Sequence, residues 1–127
     1  MAAIRAVREA SGIPLISNGD GTSVADARRM LEASGADGVM IGRSAYGRPW
    51  WPGVIANQLD PGSGVDEPSL DAEMAIVADH HQQMLITYGA ERGNKAARKH
   101  IGGAKRRMEE RGHVRPGGGA GCRQRHV

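Results

Sequence analysis

Aromatic side chains are scarce: the 127 residues hold two Trp, two Tyr and no Phe. Three of those four, Tyr46, Trp50 and Trp51, sit together, which makes them a local anchor and excludes an aromatic-rich core spread through the chain. A single cysteine, Cys122, excludes an internal disulfide and agrees with a reducing cytoplasm. No apolar run approaches the roughly 20 residues of a membrane span, and Met1-Ala-Ala-Ile-Arg5 lacks the apolar stretch of a secretion signal. Metal-ligand patterns are missing as well. His80 and His81 are adjacent and point in different directions, with no partner at ligand spacing. Membrane protein, disulfide scaffold and metalloprotein are thus set aside.

Charge is present but lopsided. Residues 1–90 carry 6 Lys/Arg against 11 Asp/Glu, a net −5, whereas residues 91–127 carry 11 against 3, a net +8. A basic half of that size suits nucleic acid or another polyanion; a solvated basic tail is the plainer alternative. The length fits one domain with a core but falls short of the about 200 residues that a closed (β/α)8 barrel needs.

The most informative stretch runs from Ile13 to Trp51. Two short apolar runs, Ile13–Ser17 and Asp37–Ile41, are bounded by glycines and read as buried parallel strands. Between them, Ser23 to Ser34 has helical spacing through Val24, Ala27 and Leu31, opens on the capping-box spacing Ser23/Asp26 and ends at Gly35. Strand, helix and strand make a βαβ unit, preceded by a helix over residues 2–11 that Gly12 stops. Ligands of such units bind at the carboxyl ends of the strands. There lie Asn18-Gly19-Asp20-Gly21 and Gly42-Arg43. Glycines let backbone N–H groups approach an anion, a helix N-terminus follows, and Arg43 offers a fork for phosphate. Ordinary βα turns with a solvated Arg43 are the competing reading. Asp37 reads as a turn residue, and Arg28 and Arg29 as a solvated face.

Pro49 suits the first turn of a helix over Trp50–Leu59, and Asp60–Pro68 is a linker by composition. A further helix over Ser69–Tyr88 carries Leu70, Met74, Val77, His81, Met84 and Tyr88 as a core stripe, ended by Gly89. After Gly93, Asn94 can cap a helix that sets Lys95, Arg98 and Lys99 close to one face. Such a stripe can contact an RNA backbone, because phosphate binding asks for charge more than for sequence-specific geometry.

Ile13-Pro-Leu-Ile-Ser-Asn-Gly-Asp20, Gly38-Val-Met-Ile-Gly-Arg43, Gly47-Arg-Pro-Trp-Trp51 and Ala97-Arg-Lys-His-Ile101 together resemble the tRNA-dihydrouridine synthase family, in its bacterial nitrogen-regulation-like branch. The resemblance covers about residues 1–102. It implies an α/β fold: the last two strands of an FMN-binding TIM (β/α)8 barrel over 1–60, a linker over 61–68 and part of a helical tRNA-binding domain over 69–110. It further implies FMN as cofactor, NADPH as reductant, and reduction of tRNA uridine to 5,6-dihydrouridine. Carried over residue by residue, Asn18, Gly19, Asp20, Gly42 and Arg43 would hold the flavin phosphate, and Lys95, Arg98, Lys99 and His100 would meet tRNA. No residue here matches a catalytic acid of the family, and Cys122 lies outside any such motif, so the chain alone is expected to be inactive.

Beyond Gly102-Gly103 the resemblance stops, and residues 111–127 read as a basic Gly/Arg-rich disordered tail, the product of a shifted reading frame or a natural RNA-binding extension. Two further readings stay open: a non-catalytic basic RNA-binding module, and a piece of another FMN- or phosphate-binding barrel enzyme.

Overall fold

In chain order the helices and strands are α1 (Ala2–Ala10), β1 (Ile16–Asn18), α2 (Val24–Ser34), β2 (Gly38–Met40), a 3₁₀ turn (Arg43–Ala45), α3 (Trp51–Leu59) and α4 (Leu70–Glu110). This computed structural model describes residues 2–112. The expected tail and Cys122 fall outside the described residues, apart from Arg111 and Gly112.

β1 and β2 pair in parallel, with Ile16 opposite Gly38, Ser17 opposite Val39 and Asn18 opposite Met40. Both strands are shorter than the apolar runs that announce them, and local chemistry explains why. Pro14 has no N–H to donate, and the Leu15 N–H donates to the Asp37 carboxylate at 2.9 Å instead of joining a ladder. Asp37 also accepts from Arg8 at 3.2 Å, so this turn residue staples α1 to both strand starts. A second arginine of α1 works at the C-terminus of α2. Arg5 donates to the carbonyls of Glu32 and Ala33, two acceptors that a helix end leaves without partners. Gly35 ends α2 at φ 68°, and its N–H returns to Leu31 O at 2.8 Å.

α2 begins as its sequence foretells. Ser23 accepts from the Asp26 N–H, and the Asp26 carboxylate accepts from the N–H of both Thr22 and Ser23 and from the Thr22 hydroxyl. These bonds hold the Asp26 carboxyl well below the usual carboxylate range, the Thr22 backbone bond being the largest cause. The buried face of α2 is Ala27, Met30 and Ser34, whereas Val24 and Leu31 are only half-buried. On α3, Val54 and Ile55 are buried beside Trp50. The proline in the first turn of α3 is Pro52, and Pro49 lies ahead of the helix, a correction by one short turn. The expected linker folds back on α3: Val65 donates to Gly53 O at 3.2 Å, and Asn57 bonds Asp66 at 2.9 Å.

α4 is two helical limbs. Gly89, at φ 76° and ψ 168°, breaks it into residues 70–88 and 90–110, which fold back as an antiparallel hairpin. The contacts climb it in order: Gly93 against Met84, Asn94 Oδ1 2.9 Å from His81 Nε2, His100 on His80, and Arg107 on Glu73. Two expectations give way here. Asn94 does not cap a helix, because the second limb already starts at residue 90 and Asn94 is spent on His81. Met74 and Tyr88 are exposed and leave the core stripe; its buried place goes to Glu73, which Arg107 and Arg111 neutralise.

Glycines let the hairpin sit close to the strand layer. A Cβ on Gly103 would lie 2.7 Å from Tyr46 O, and one on Gly47 only 2.1 Å from Ala104 N. Gly102-Gly103, where the resemblance was expected to end, is therefore part of a packed helix. Ala104 and Met108 are buried just beyond it.

Candidate anion-binding site

The parallel pair delivers its two following loops to the same end, as crossover geometry requires. Asn18, Gly19 and Asp20 then face Gly42 and Arg43 across a cleft of about 480 Å³, closed on one side by Met40 and Tyr46. All five residues expected at a phosphate site are brought together. A second hollow on the same loops is lined by Gly21, Thr22 and Ser44 as well. The Ser44 hydroxyl donates to Gly21 O at 2.9 Å and fixes one loop to the other. Trp51 adds a further tie, its Nε1 donating to Thr22 O at 3.2 Å.

Donors in the cleft match an anion. A Cβ built on Gly42 meets nothing within 4 Å, so the backbone there borders open space that a ligand atom can enter. The 3₁₀ turn starting at Arg43 leaves its first N–H groups without intrahelical partners. The N-terminus of α2 contributes less than its sequence promises, because Asp26 already occupies the donors of Thr22 and Ser23. Arg43 is the one cation lining the cleft among the described residues, and it is paired with Asp20, both side chains largely exposed. A phosphate that uses the Arg43 fork therefore displaces an internal carboxylate. The residues fit a phosphate, with Asp20 as its competitor.

The four residues expected to meet RNA have diverging fates. Arg98 is exposed and carries no ion pair among the described residues. Lys95 is exposed and paired with Glu91 at 3.3 Å, and Lys99 sits 4.9 Å above the Tyr46 ring. His100 is half-buried, its ring 5.2 Å from Tyr46 and 4.8 Å from His80, both edge-on. Burial, reinforced by His80 and Lys99, lowers the His100 pKa below the ordinary histidine value, so at neutral pH it adds no charge to an RNA surface. Tyr46 thus joins the two regions, lining the loop cleft and receiving Lys99 and His100 from α4. Its value was hidden in the sequence, where it reads only as one of three clustered aromatics. Arg48 was passed over as well. It donates to Ser44 O at 2.7 Å and lies 3.9 Å from the Trp51 ring.

No helix among the described residues is long and apolar enough to cross a membrane, and no metal-binding cluster occurs among them. Residues 1–117 match the dihydrouridine synthase family. A probable tRNA-dihydrouridine synthase of Rickettsia conorii is 46% identical over 99 residues, covering 78% of this chain and 30% of that protein. One of Rhizobium leguminosarum bv. phaseoli is 46% identical over 100 residues, covering 79% and 29%. The tRNA-dihydrouridine synthase B of Pasteurella multocida is 41% identical over 98 residues, covering 77% and 30%. The chain thus spans about 30% of the length of the curated relatives it matches. The match runs through the loop cleft, the hairpin and Gly103, and it assigns the chain to the dihydrouridine synthase family.

Proposed function

We propose that this chain is the part of a tRNA-dihydrouridine synthase that grips the FMN phosphate and opens the helical tRNA-binding domain. One observation carries the reading: Asn18, Gly19 and Asp20 meet Gly42 and Arg43 in a single cleft at the carboxyl ends of two parallel strands, inside a chain whose family match spans residues 1–117. In this reading β1 and β2 are the last two strands of a TIM barrel, and the protein works on tRNA in the cytoplasm. Bound FMN, reduced by NADPH, supplies the hydride for the uracil C5=C6 bond. The chain's own work is positional. Gly42 and the backbone N–H groups beside it meet the phosphate, Arg43 balances its charge, and Asn18 offers an amide from the facing loop. Tyr46 and the Trp51–Thr22 bond hold the second loop against α4 and α2. None of these groups is an acid placed to protonate a base, so the catalytic proton is assigned to residues outside the site described.

Flavin binding to the full chain tests the phosphate grip. FMN is expected to bind at least about tenfold tighter than riboflavin, which lacks the phosphate, and Arg43→Gln is expected to erase that difference. Equal affinity for the two flavins would remove the phosphate assignment. With FMN, NADPH and unmodified tRNA, the chain by itself is expected to form no dihydrouridine, while a chimera joining it to the upstream part of the Rickettsia conorii relative is expected to form it. Turnover by the chain alone, or an inactive but folded chimera, would count against the reading.

A further inference from the structure

The 43–48 segment has a second cleft on its other side, about 300 Å³, between Ser44, Tyr46 and Arg48 and the second limb of α4 at Gly103, Arg106, Arg107 and Arg111. Tyr46 is a wall of both this cleft and the one that holds Arg43. Four guanidinium groups converge here, and their partners are unequal. Arg107 is held by Glu67 at 2.5 Å and by buried Glu73, and Arg111 by Glu73 at 2.7 Å. Arg48 bonds only neutral acceptors, the carbonyls of Ser44 and Thr22, while stacked on Trp51. Arg106 has no ion-pair or hydrogen-bond partner among the described residues. Glu110 is the single carboxylate lining the cleft, and no ion pair ties it to Arg48 or Arg106 among the described residues. Burial, more than the facing Arg107, lowers the Arg48 pKa, while Glu67 and Glu110 act in the opposite direction. An anion between Arg48 and Arg106 meets two guanidinium groups that no ion pair holds among the described residues.

We propose that this cleft seats a backbone phosphate of the RNA substrate, with Arg48 and Arg106 as its cationic contacts. The inference rests on the tRNA reading and centres the RNA contact on Arg48 and Arg106, neither of which is among the four residues that the sequence singled out. Two points favour a phosphodiester of a long polyanion over a small free anion. The cleft is open, not enclosed, and the exposed Lys99, one turn before Gly103 and seated over the Tyr46 ring, adds a cation beside it. It also shares Tyr46 with the loop cleft, so an RNA strand held here lies beside the proposed grip on the cofactor phosphate.

The test is anisotropy of a fluorescein-labelled, unmodified tRNA transcript with the full chain across a salt series. Arg48→Gln and Arg106→Gln are each expected to weaken binding about fivefold and to lower the slope of log affinity against log salt by about one. Arg28→Gln, on the exposed face of α2, is expected to change neither. Arg48→Lys keeps the charge while losing the two carbonyl bonds; it is expected to retain the slope and so separates charge from fold. Circular dichroism melts of each variant guard against unfolding, and FMN affinity is expected to stay at the wild-type value in Arg106→Gln and Arg28→Gln. If Arg106→Gln and Arg48→Gln match Arg28→Gln, the cleft proposal fails while tRNA binding stands. If wild type binds no tRNA, both fail. Binding of inorganic pyrophosphate that needs Arg106, with tRNA binding that does not, would make this a small-anion site and overturn the RNA assignment.

Discussion

Asp20 and Arg43 are the residues on which phosphate affinity turns, and they oppose each other. Their ion pair joins exposed side chains and contributes little to stability, but it occupies the one cation of the cleft. Asp20→Asn is therefore expected to tighten FMN binding severalfold, read by quenching of flavin fluorescence, with the melting temperature nearly unchanged. Weaker binding would show that the Asp20 carboxylate helps shape the site and does not compete for it. His100 supplies a second prediction. Its folded-state pKa is depressed, so the unfolded chain binds more protons near the ordinary histidine pKa. Stability from this group is full above about pH 6.5 and is lost as pH falls below it. Melting temperatures between pH 7.5 and 5 are expected to drop, and His100→Gln to flatten part of that drop. An unaltered profile in the variant would move the effect to other histidines.

At the scale of elements, the α4 hairpin depends on one buried carboxylate and on two glycines. Glu73 is 1% exposed and binds Arg107 and Arg111 from the opposite limb. Glu73→Gln leaves Arg111 without its carboxylate and Arg107 with Glu67 alone, and is expected to cost about 3 kcal/mol in a denaturant titration. A cost below about 1 kcal/mol would mean that water replaces the carboxylate. Gly103 faces the Tyr46 carbonyl and Gly47 the Ala104 amide, backbone against backbone, so no side chain can swing aside. Gly103→Val is expected to detach the second limb from the 43–48 segment. That would show as lost amide protection near Ala104 and as a Lys99 no longer held over Tyr46.

Across the whole molecule, the outer face of the strand pair stands bare. Ile13, Ile16 and Met40 are 72%, 59% and 51% exposed, while Ser17, pointing the other way, is buried. A two-stranded parallel sheet with an apolar open face and free edges is poorly stable and invites pairing. Light scattering is expected to show concentration-dependent association of the chain, reduced by Ile13→Lys with Ile16→Thr. A strictly monomeric wild type would mean that this face is covered in solution. The same face is where neighbouring strands would lie if β1 and β2 close a barrel, as proposed.

Sequence alone determined much of this protein, because several of its signals are local. The capping box at Ser23 and Asp26, the left-handed stops at Gly35 and Gly89, and the two strand–loop ends that carry Asn18, Gly19, Asp20, Gly42 and Arg43 need only near neighbours. The five loop residues were legible as a candidate phosphate site for that reason: parallel pairing of adjacent strands forces their following loops together. What only the tertiary structure decided depends on partners far apart in the chain. Asn94 was spent on His81 instead of on a cap, and Glu73 entered the core once Arg107 and Arg111 were beside it. His100 lost its charge among His80, Tyr46 and Lys99, and Arg48 met Arg106 across a cleft that neither segment announces. Spacing reports which face of one helix a residue occupies; burial and charge are properties of what that face meets.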